Sequence, residues 1–269
     1  MELTQLEARL KELSPDIPWA HMIELAPGRF SVTEKDAKFY RKATALTQVG
    51  ELLLQICEMQ VRGHGLAGKR VLDLACAEGG HAIQFARKGA KVLGVEGRKL
   101  YVDRARLAAE ATGLANDIEI VQGDVRKLPA DIGVFDVVVF SGILHHLGQG
   151  DFDGMVAELG RVTGDLLLVY THVSTDLSIK NHRLQGPVTT AAGRTGYLYR
   201  EHEDDAGAEA RERKVRASLD NTFSFWAQEQ SLVEAIRAAG FKLILKAMSP
   251  HVFDWDGASY RPILIARKA

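Results

Sequence analysis

A carboxylate at Glu96, preceded by a run of small residues, is the arrangement in this chain best suited to holding a nucleoside-bearing ligand. Residues 71–98 read VLDLACAEGGHAIQFARKGAKVLGVEGR. The apolar stretch 70–74 predicts a buried strand. Ala75, Cys76, Ala77, Glu78, Gly79 and Gly80 follow as a turn with little side-chain bulk apart from Cys76 and Glu78, so the backbone can approach a ligand closely. A helix predicted from Gly80 leaves its first N–H groups without helical partners. Glu96 ends the next strand, where a carboxylate can accept both hydroxyl hydrogens of a ribose. This is a nucleotide-binding βαβ unit, and two cofactor classes fit it.

A dinucleotide needs a G-x-G-x-x-G turn to wrap its pyrophosphate, and this chain spells A-C-A-E-G-G instead. The pattern resembles far better the class I S-adenosylmethionine-dependent methyltransferases, whose first motif reads roughly V-L-D-L-G-C-G-x-G with an acid ending the second strand. Asp73, Cys76, Gly79 and Glu96 match it, while Ala75 and Ala77 stand where the family has glycine. Two later segments, IEIVQGDVRKLP and FDVVVFSGILHHL, fall where the family's third and fourth strands are expected. The resemblance covers about residues 66–170. It implies that Asp73 organises the turn through loop amides and that Glu96, with Gly97 and Arg98 beside it, holds the ribose. It further implies that Asp124 and the Val125 backbone N–H meet the adenine, and that Ser141 and Gly142 open the crevice near the methyl. His81, at the start of the helix after the turn, reads either as a contact to the cofactor carboxylate or as a partly exposed helix-start residue.

The resemblance implies transfer of a methyl from a sulfonium to an acceptor lone pair, with the enzyme mainly positioning the reactants. A base is needed only if the nucleophile arrives protonated. His145 and His146 follow the fourth strand, and an imidazole can take a proton from a hydroxyl near neutral pH. Adjacent side chains point in different directions, so at most one of the two faces the pocket; packing or capping is the alternative role. Phe140-Ser141-Gly142-Ile143 replaces the Asn- or Asp-Pro-Pro-aromatic signature of amino-methyltransferases, and the segment resembles enzymes acting on small molecules, usually at oxygen. Metal-assisted transfer is disfavoured, because Ser141 stands where such enzymes place an aspartate and neighbouring histidines lack the i, i+4 spacing of helical ligands. No metal site is expected. An NAD(P)-dependent oxidoreductase and a regulatory protein that keeps the cofactor pocket without chemistry are the alternative functions.

The elements that must position these residues predict a Rossmann-like α/β fold: a doubly wound, seven-stranded, mostly parallel sheet with an antiparallel C-terminal strand and helices on both faces. Residues 1–65 form a helical extension, with an amphipathic helix over 2–13 carrying Leu3, Leu6, Leu10 and Leu13, and a second over 35–61 carrying Leu46, Val49, Leu53 and Ile56. Tyr40, Arg41 and Lys42 either reach the cofactor carboxylate or form a solvated basic face. The core spans 66–269, interrupted over 171–224 by polar, glycine-bearing sequence far longer than the usual connection of about 4 to 6 residues. That insertion reads as a substrate cap, with a passive or oligomeric insertion as the alternative, and Arg194, Tyr197, Tyr199 and Arg200 within it read as an anion-holding or stacking set or as an alternating cap strand. A helix over 228–239 and strands at 241–246 and 262–266 close the fold. The connection between those strands, with His251, Phe253, Trp255 and Tyr260, suits a pocket wall or edge packing.

Composition sets the remaining bounds. The 269 residues are 46% hydrophobic, enough for one large core. Lys and Arg total 34 against 35 acidic residues, so no net field draws nucleic acid or an anionic membrane. Two cysteines argue against a disulfide framework and for a reducing, cytoplasmic setting. The charged N-terminus is unlike a signal sequence, and no apolar run reaches a membrane span of about 18 residues. The expected partner is a small-molecule substrate, with a homodimer as one way to cover the apolar face of the first helix.

Overall fold

The computed structural model describes residues 1–13, 17–32, 37–214, 216–247 and 261–268, with the side chains of 37–41 outside that description. The proposed roles of Tyr40, Arg41, His251, Phe253, Trp255 and Tyr260 therefore fall outside the described residues. The chain divides into two compact units, Met1–Lys127 and Leu128–Ala269. The first unit contains the extension together with the βαβ segment.

In the first unit, β3 (Arg70–Leu74) is buried from its second residue onward, as a strand covered on both faces must be. It pairs in parallel with β4 (Lys91–Glu96), which pairs in parallel with β5 (Ile118–Gln122). Helices α3 (Gly80–Ala86) and α4 (Lys99–Ala111) make the crossovers. Gly94 in β4 is glycine for a steric reason: a Cβ there would lie 2.6 Å from Ile120 Cδ1 and 2.8 Å from Cys76 Sγ. The extension contributes α1 (Leu3–Glu12), a short hairpin of β1 (Glu24–Ala26) and β2 (Arg29–Phe30), and α2 (Ala37–Gln60). Of the four leucines expected on one face of α1, only Leu6 and Leu10 are buried. Leu3 is exposed because it opens the helix, where little of the unit lies beneath it. In α2, Val49, Leu53 and Ile56 are buried.

In the second unit, β6 (Phe135–Ser141) and β7 (Thr163–Tyr170) are parallel neighbours joined by a single 3-10 turn (Leu144–His146) and α5 (Gln149–Val162). After α8 (Glu229–Ala238) come β11 (Phe241–Ala247) and β12 (Ile263–Lys268), and β12 runs antiparallel to both β7 and β11. The insertion is more ordered than its composition suggests. It holds α6 (Asp176–His182), opened by a Thr175/Ser178 capping box, and α7 (Ala208–Arg213). It also builds its own antiparallel sheet from β8 (Gln185–Thr189), β9 (Thr195–Arg200) and β10 (Phe223–Ala227), in the order β10-β9-β8. Phe225 and Phe152 meet edge to face, which ties β10 to α5. The main sheet has seven strands in the order β11-β12-β7-β6-β3-β4-β5, the expected Rossmann-like class.

Candidate functional site

The turn after β3 is built from left-handed residues. Ala75 has φ 57°, Ala77 φ 47° and Gly79 φ 77°. Only glycine adopts such angles without steric cost, so the two alanines hold a glycine-type conformation. The Ala75 N–H donates to Val95 O at 2.7 Å and the Gly79 N–H to Cys76 O at 2.8 Å, fixing the loop on β4. Cys76 turns inward: its thiol is buried against Gly94 and burial pushes its pKa well up. What Cys76 can offer a ligand is therefore its backbone, as with Ala75, Ala77 and Gly79.

Glu96 is buried, and its two carboxylate oxygens split their contacts. Oε2 accepts the Ala77 N–H at 2.9 Å and Oε1 the Arg98 N–H at 2.8 Å. Each oxygen keeps a lone pair for a hydroxyl. Burial raises the Glu96 pKa against those two amides. Gly97 is half-buried and its carbonyl accepts from Gln122 Nε2 at 3.1 Å, while Arg98 is buried. Asp124, after β5, accepts the Arg126 backbone N–H at 2.9 Å and pairs with the Arg126 guanidinium at 2.8 Å. That hydrogen bond holds its pKa below the usual carboxylate range, and Val125 is buried beside it.

Glu78 and His81 take their surroundings from distant parts of the chain. The Glu78 carboxylate is not directed at a ligand. It is fully buried, accepting the Ala20 N–H at 2.8 Å, lying 3.1 Å from His21 Nδ1, and pairing with Arg104 at 3.3 Å. Burial alone would raise its pKa, but His21, the Ala20 amide and Arg104 together hold it low. Arg104, also fully buried, donates to the carbonyls of Leu13, Ile17 and Pro18. Glu78 and Arg104 thus clamp the segment before β1 onto the turn. His81 is buried, not partly exposed, and burial followed by the nearby His21 pushes its pKa down to about 3. Gly80 must be glycine because a Cβ would lie 2.7 Å from the His21 ring. No periodicity in the sequence signals His21 or Arg104.

The donors and acceptors of this unit fit an S-adenosylmethionine-type ligand. Asp73 is buried with Oδ2 unpartnered among the described residues, and burial raises its pKa to about 7. The buried hydroxyl of Tyr101 likewise lacks a partner there. A cationic ligand amine would satisfy the first.

The second unit carries the remaining expected residues. Ser141 ends β6 half-buried, and Gly142, at φ 77°, donates its N–H to Tyr170 O at 2.7 Å. The 3-10 turn then gives the two histidines different surroundings, although their ring centroids lie 4.3 Å apart. His145 is buried; its Nδ1 accepts the His172 N–H at 3.3 Å and lies 3.0 Å from Thr171 Oγ1. A backbone N–H only donates, so His145 carries its proton on Nε2, and burial keeps the ring neutral. His146 is partly exposed, with Nδ1 2.7 Å from Oε1 of the buried Glu201. Ser224 Oγ donates to that same oxygen at 2.8 Å, and Asn221 Nδ2 donates to His146 O at 2.8 Å. Glu201 lies just after β9, in the acid-rich run that composition marks only as polar. Among the described residues no cluster of three metal-ligating side chains occurs. Arg194, just before β9, pairs with Glu234, and Arg200, which ends it, pairs with Glu203 and Asp204, so both charges are neutralised locally.

Residues 71–165 match the family described as a methyltransferase domain. Over this segment the chain carries a methyltransferase domain. A sterol 24-C-methyltransferase of Gibberella zeae is 34% identical over 113 residues, 41% of this chain and 29% of its own length. A ubiquinone biosynthesis O-methyltransferase of Acinetobacter baylyi is 40% identical over 84 residues, 31% of this chain and 35% of its own length. The aligned stretch is therefore about a third of each of these relatives. Among solved structures, the N-terminal domain of EvdMO1, crystallised in the presence of SAH and D-fucose, shares the fold across 100% of this chain and 97% of its own. Its TM-score is 0.69 at 23% identity. Magnesium protoporphyrin IX methyltransferase from Synechocystis with bound SAH covers 84% of this chain and 85% of its own, with a TM-score of 0.58 at 18% identity. The cofactor class of the methyltransferase domain is S-adenosylmethionine, and its motif residues begin at β3, as the sequence indicates.

Proposed function

We propose that this chain is an S-adenosylmethionine-dependent methyltransferase that acts on a hydroxyl of a small molecule, with His146 as general base. The observation that carries the reading is the His146–Glu201 pair. A buried carboxylate 2.7 Å from Nδ1 holds the proton on that nitrogen and leaves Nε2 as the acceptor. The cofactor supplies a methyl already activated on a sulfonium. His146 Nε2 takes the hydroxyl proton as the oxygen lone pair forms the new C–O bond; the S–C bond breaks and its electrons stay on sulfur. His145 does not compete for the proton, because its free nitrogen already bears one.

Glu96 holds the ribose, Asp124 and Val125 meet the adenine, and Asp73 with the turn 75–80 holds the methionine portion. The oxygen acceptor is supported by the ubiquinone relatives, which are named as O-methyltransferases, whereas the sterol relatives are named for transfer to carbon. A sugar hydroxyl is a reasonable first acceptor to try, given the D-fucose with which EvdMO1 was crystallised. Both cysteines are buried and unbridged, which supports a reducing compartment. No described helix is long and apolar enough to cross a membrane.

The test is calorimetric titration with S-adenosylmethionine and, separately, NAD⁺ and NADH, followed by an acceptor screen read by mass. Binding of the methyl donor alone, weakened at least about tenfold in Glu96→Ala, is expected. Nicotinamide binding, or methyl appearing on carbon, would overturn the cofactor or the acceptor assignment respectively.

A further inference from the structure

The second unit holds a half-buried cation, Arg261, that no carboxylate among the described residues pairs with. Arg261, two residues before β12, donates from Nε to His172 Nε2 at 2.6 Å. Its guanidinium carbon lies 5.7 Å from the centroid of the Tyr170 ring, at the carboxyl end of β7. Because an arginine N–H only donates, His172 Nε2 is the acceptor and the imidazole is neutral. Burial, then the charge of Arg261, drives its pKa far below the ordinary range. The His172 ring is fixed in turn by stacking on Trp226, 4.2 Å between centroids at 7°. Tyr199 stacks on the same indole at 5.1 Å, and Trp226 Nε1 donates to His145 O at 3.1 Å.

These contacts orient the guanidinium without supplying negative charge. Among the described residues no carboxylate pairs with Arg261, and its two terminal nitrogens make no hydrogen bond. The other arginines of this unit that lie near acids are paired: Arg161 with Glu158, Arg194 with Glu234, Arg267 with Asp165. An arginine held from one edge by neutral partners keeps its fork for a planar anion, and the carboxyl ends of strands are where such folds take their ligands.

We propose that Arg261 is the anion anchor of the acceptor site, and that the molecule methylated carries a carboxylate which pairs with the Arg261 guanidinium while its hydroxyl meets His146. This rests on the methyl-transfer reading above. A carboxylate is favoured over a phosphate because one monoanion balances the single charge of Arg261, whereas neutral His172 leaves the second charge of a phosphate uncompensated.

The experiment titrates the whole protein calorimetrically with benzoate, benzamide and phenyl phosphate at fixed ionic strength, in wild type, Arg261→Gln and Arg261→Lys. Benzoate should bind in the millimolar range and about tenfold tighter than benzamide, a preference lost in Arg261→Gln and partly kept in Arg261→Lys. No benzoate binding, equal binding of benzoate and benzamide by wild type, a preference that survives Arg261→Gln, or tighter binding of phenyl phosphate would each overturn the proposal. Should Arg261→Gln not fold, the wild-type comparison and the lysine variant still decide. Parallel titration with S-adenosylhomocysteine separates the two readings. If it fails to bind, methyl transfer falls whatever benzoate does; if it binds and benzoate has no advantage, only the anchor falls.

Discussion

At the scale of single residues, the turn after β3 shows alanine doing what the family does with glycine. Ala77 sits at φ 47° with its side chain half-exposed, so only backbone sterics oppose it. The left-handed region costs a non-glycine residue roughly 1–2 kcal/mol, partly offset by the smaller unfolded-state entropy of alanine. Ala77→Gly should therefore be neutral or stabilising by up to about 1 kcal/mol, and Ala77→Val destabilising by more than that. Urea melts check both, and a clear loss of stability in the glycine variant would contradict the backbone assignment. Asp73 gives a pH prediction. Its folded pKa is raised by burial from 3.8 to about 7, so the folded state favours the neutral acid. The associated stability is fully present below about pH 4 and is lost as pH rises through about 7. Asp73→Asn removes that loss, so it should gain on wild type between pH 5 and 8 by on the order of a few kcal/mol, while binding S-adenosylmethionine more weakly. His146→Ala should lower kcat by about 100- to 10,000-fold, and Glu201→Gln should lower kcat with less effect on KM, since it acts through the histidine.

At the scale of elements, the segment before β1 is held by a buried charge cluster as well as by the buried Trp19 and Ile23. Glu78, Arg104 and His21 join the turn after β3, helix α4 and the chain before β1. Removing one member leaves a buried charge unpaired, a change that costs about 3–5 kcal/mol. Glu78→Ala should lose that much in urea unfolding, and the amides of residues 17–21 should exchange faster. Because the Glu78 pKa is depressed below 4.5, its contribution is present above that value and fades as pH falls further. Acid should thus release this segment, and wild type and Glu78→Ala should converge in stability at low pH.

At the scale of the whole molecule, the proposed binding and chemical residues belong to different compact units. Ligand that binds only the folded state adds RT ln(1 + [L]/Kd), about 2.7 kcal/mol at a hundredfold excess over Kd. Substitution at His146 or Arg261 should leave the thermal shift produced by S-adenosylhomocysteine close to wild type. Glu96→Ala should shrink it. A His146 variant that lost the shift would show that its inactivity comes from the cofactor site and not from missing base catalysis.

The sequence alone determined the βαβ unit, the turn at 75–80 and the acid at Glu96, because strand periodicity, side-chain bulk and an acid at a strand end are local properties written in consecutive residues. It also located His145 and His146, but neighbouring histidines are chemically alike until their surroundings differ. Only the tertiary structure distinguishes their surroundings, by burying His145 under a backbone donor from residue 172 and bringing Glu201, far along the chain, to His146. The same holds for Glu78, which reads as a loop acid until His21 and Arg104 enclose it, and for Arg261, which gains meaning only beside His172 and Tyr170. Such partners are brought together by long-range packing, and no spacing in the chain records them.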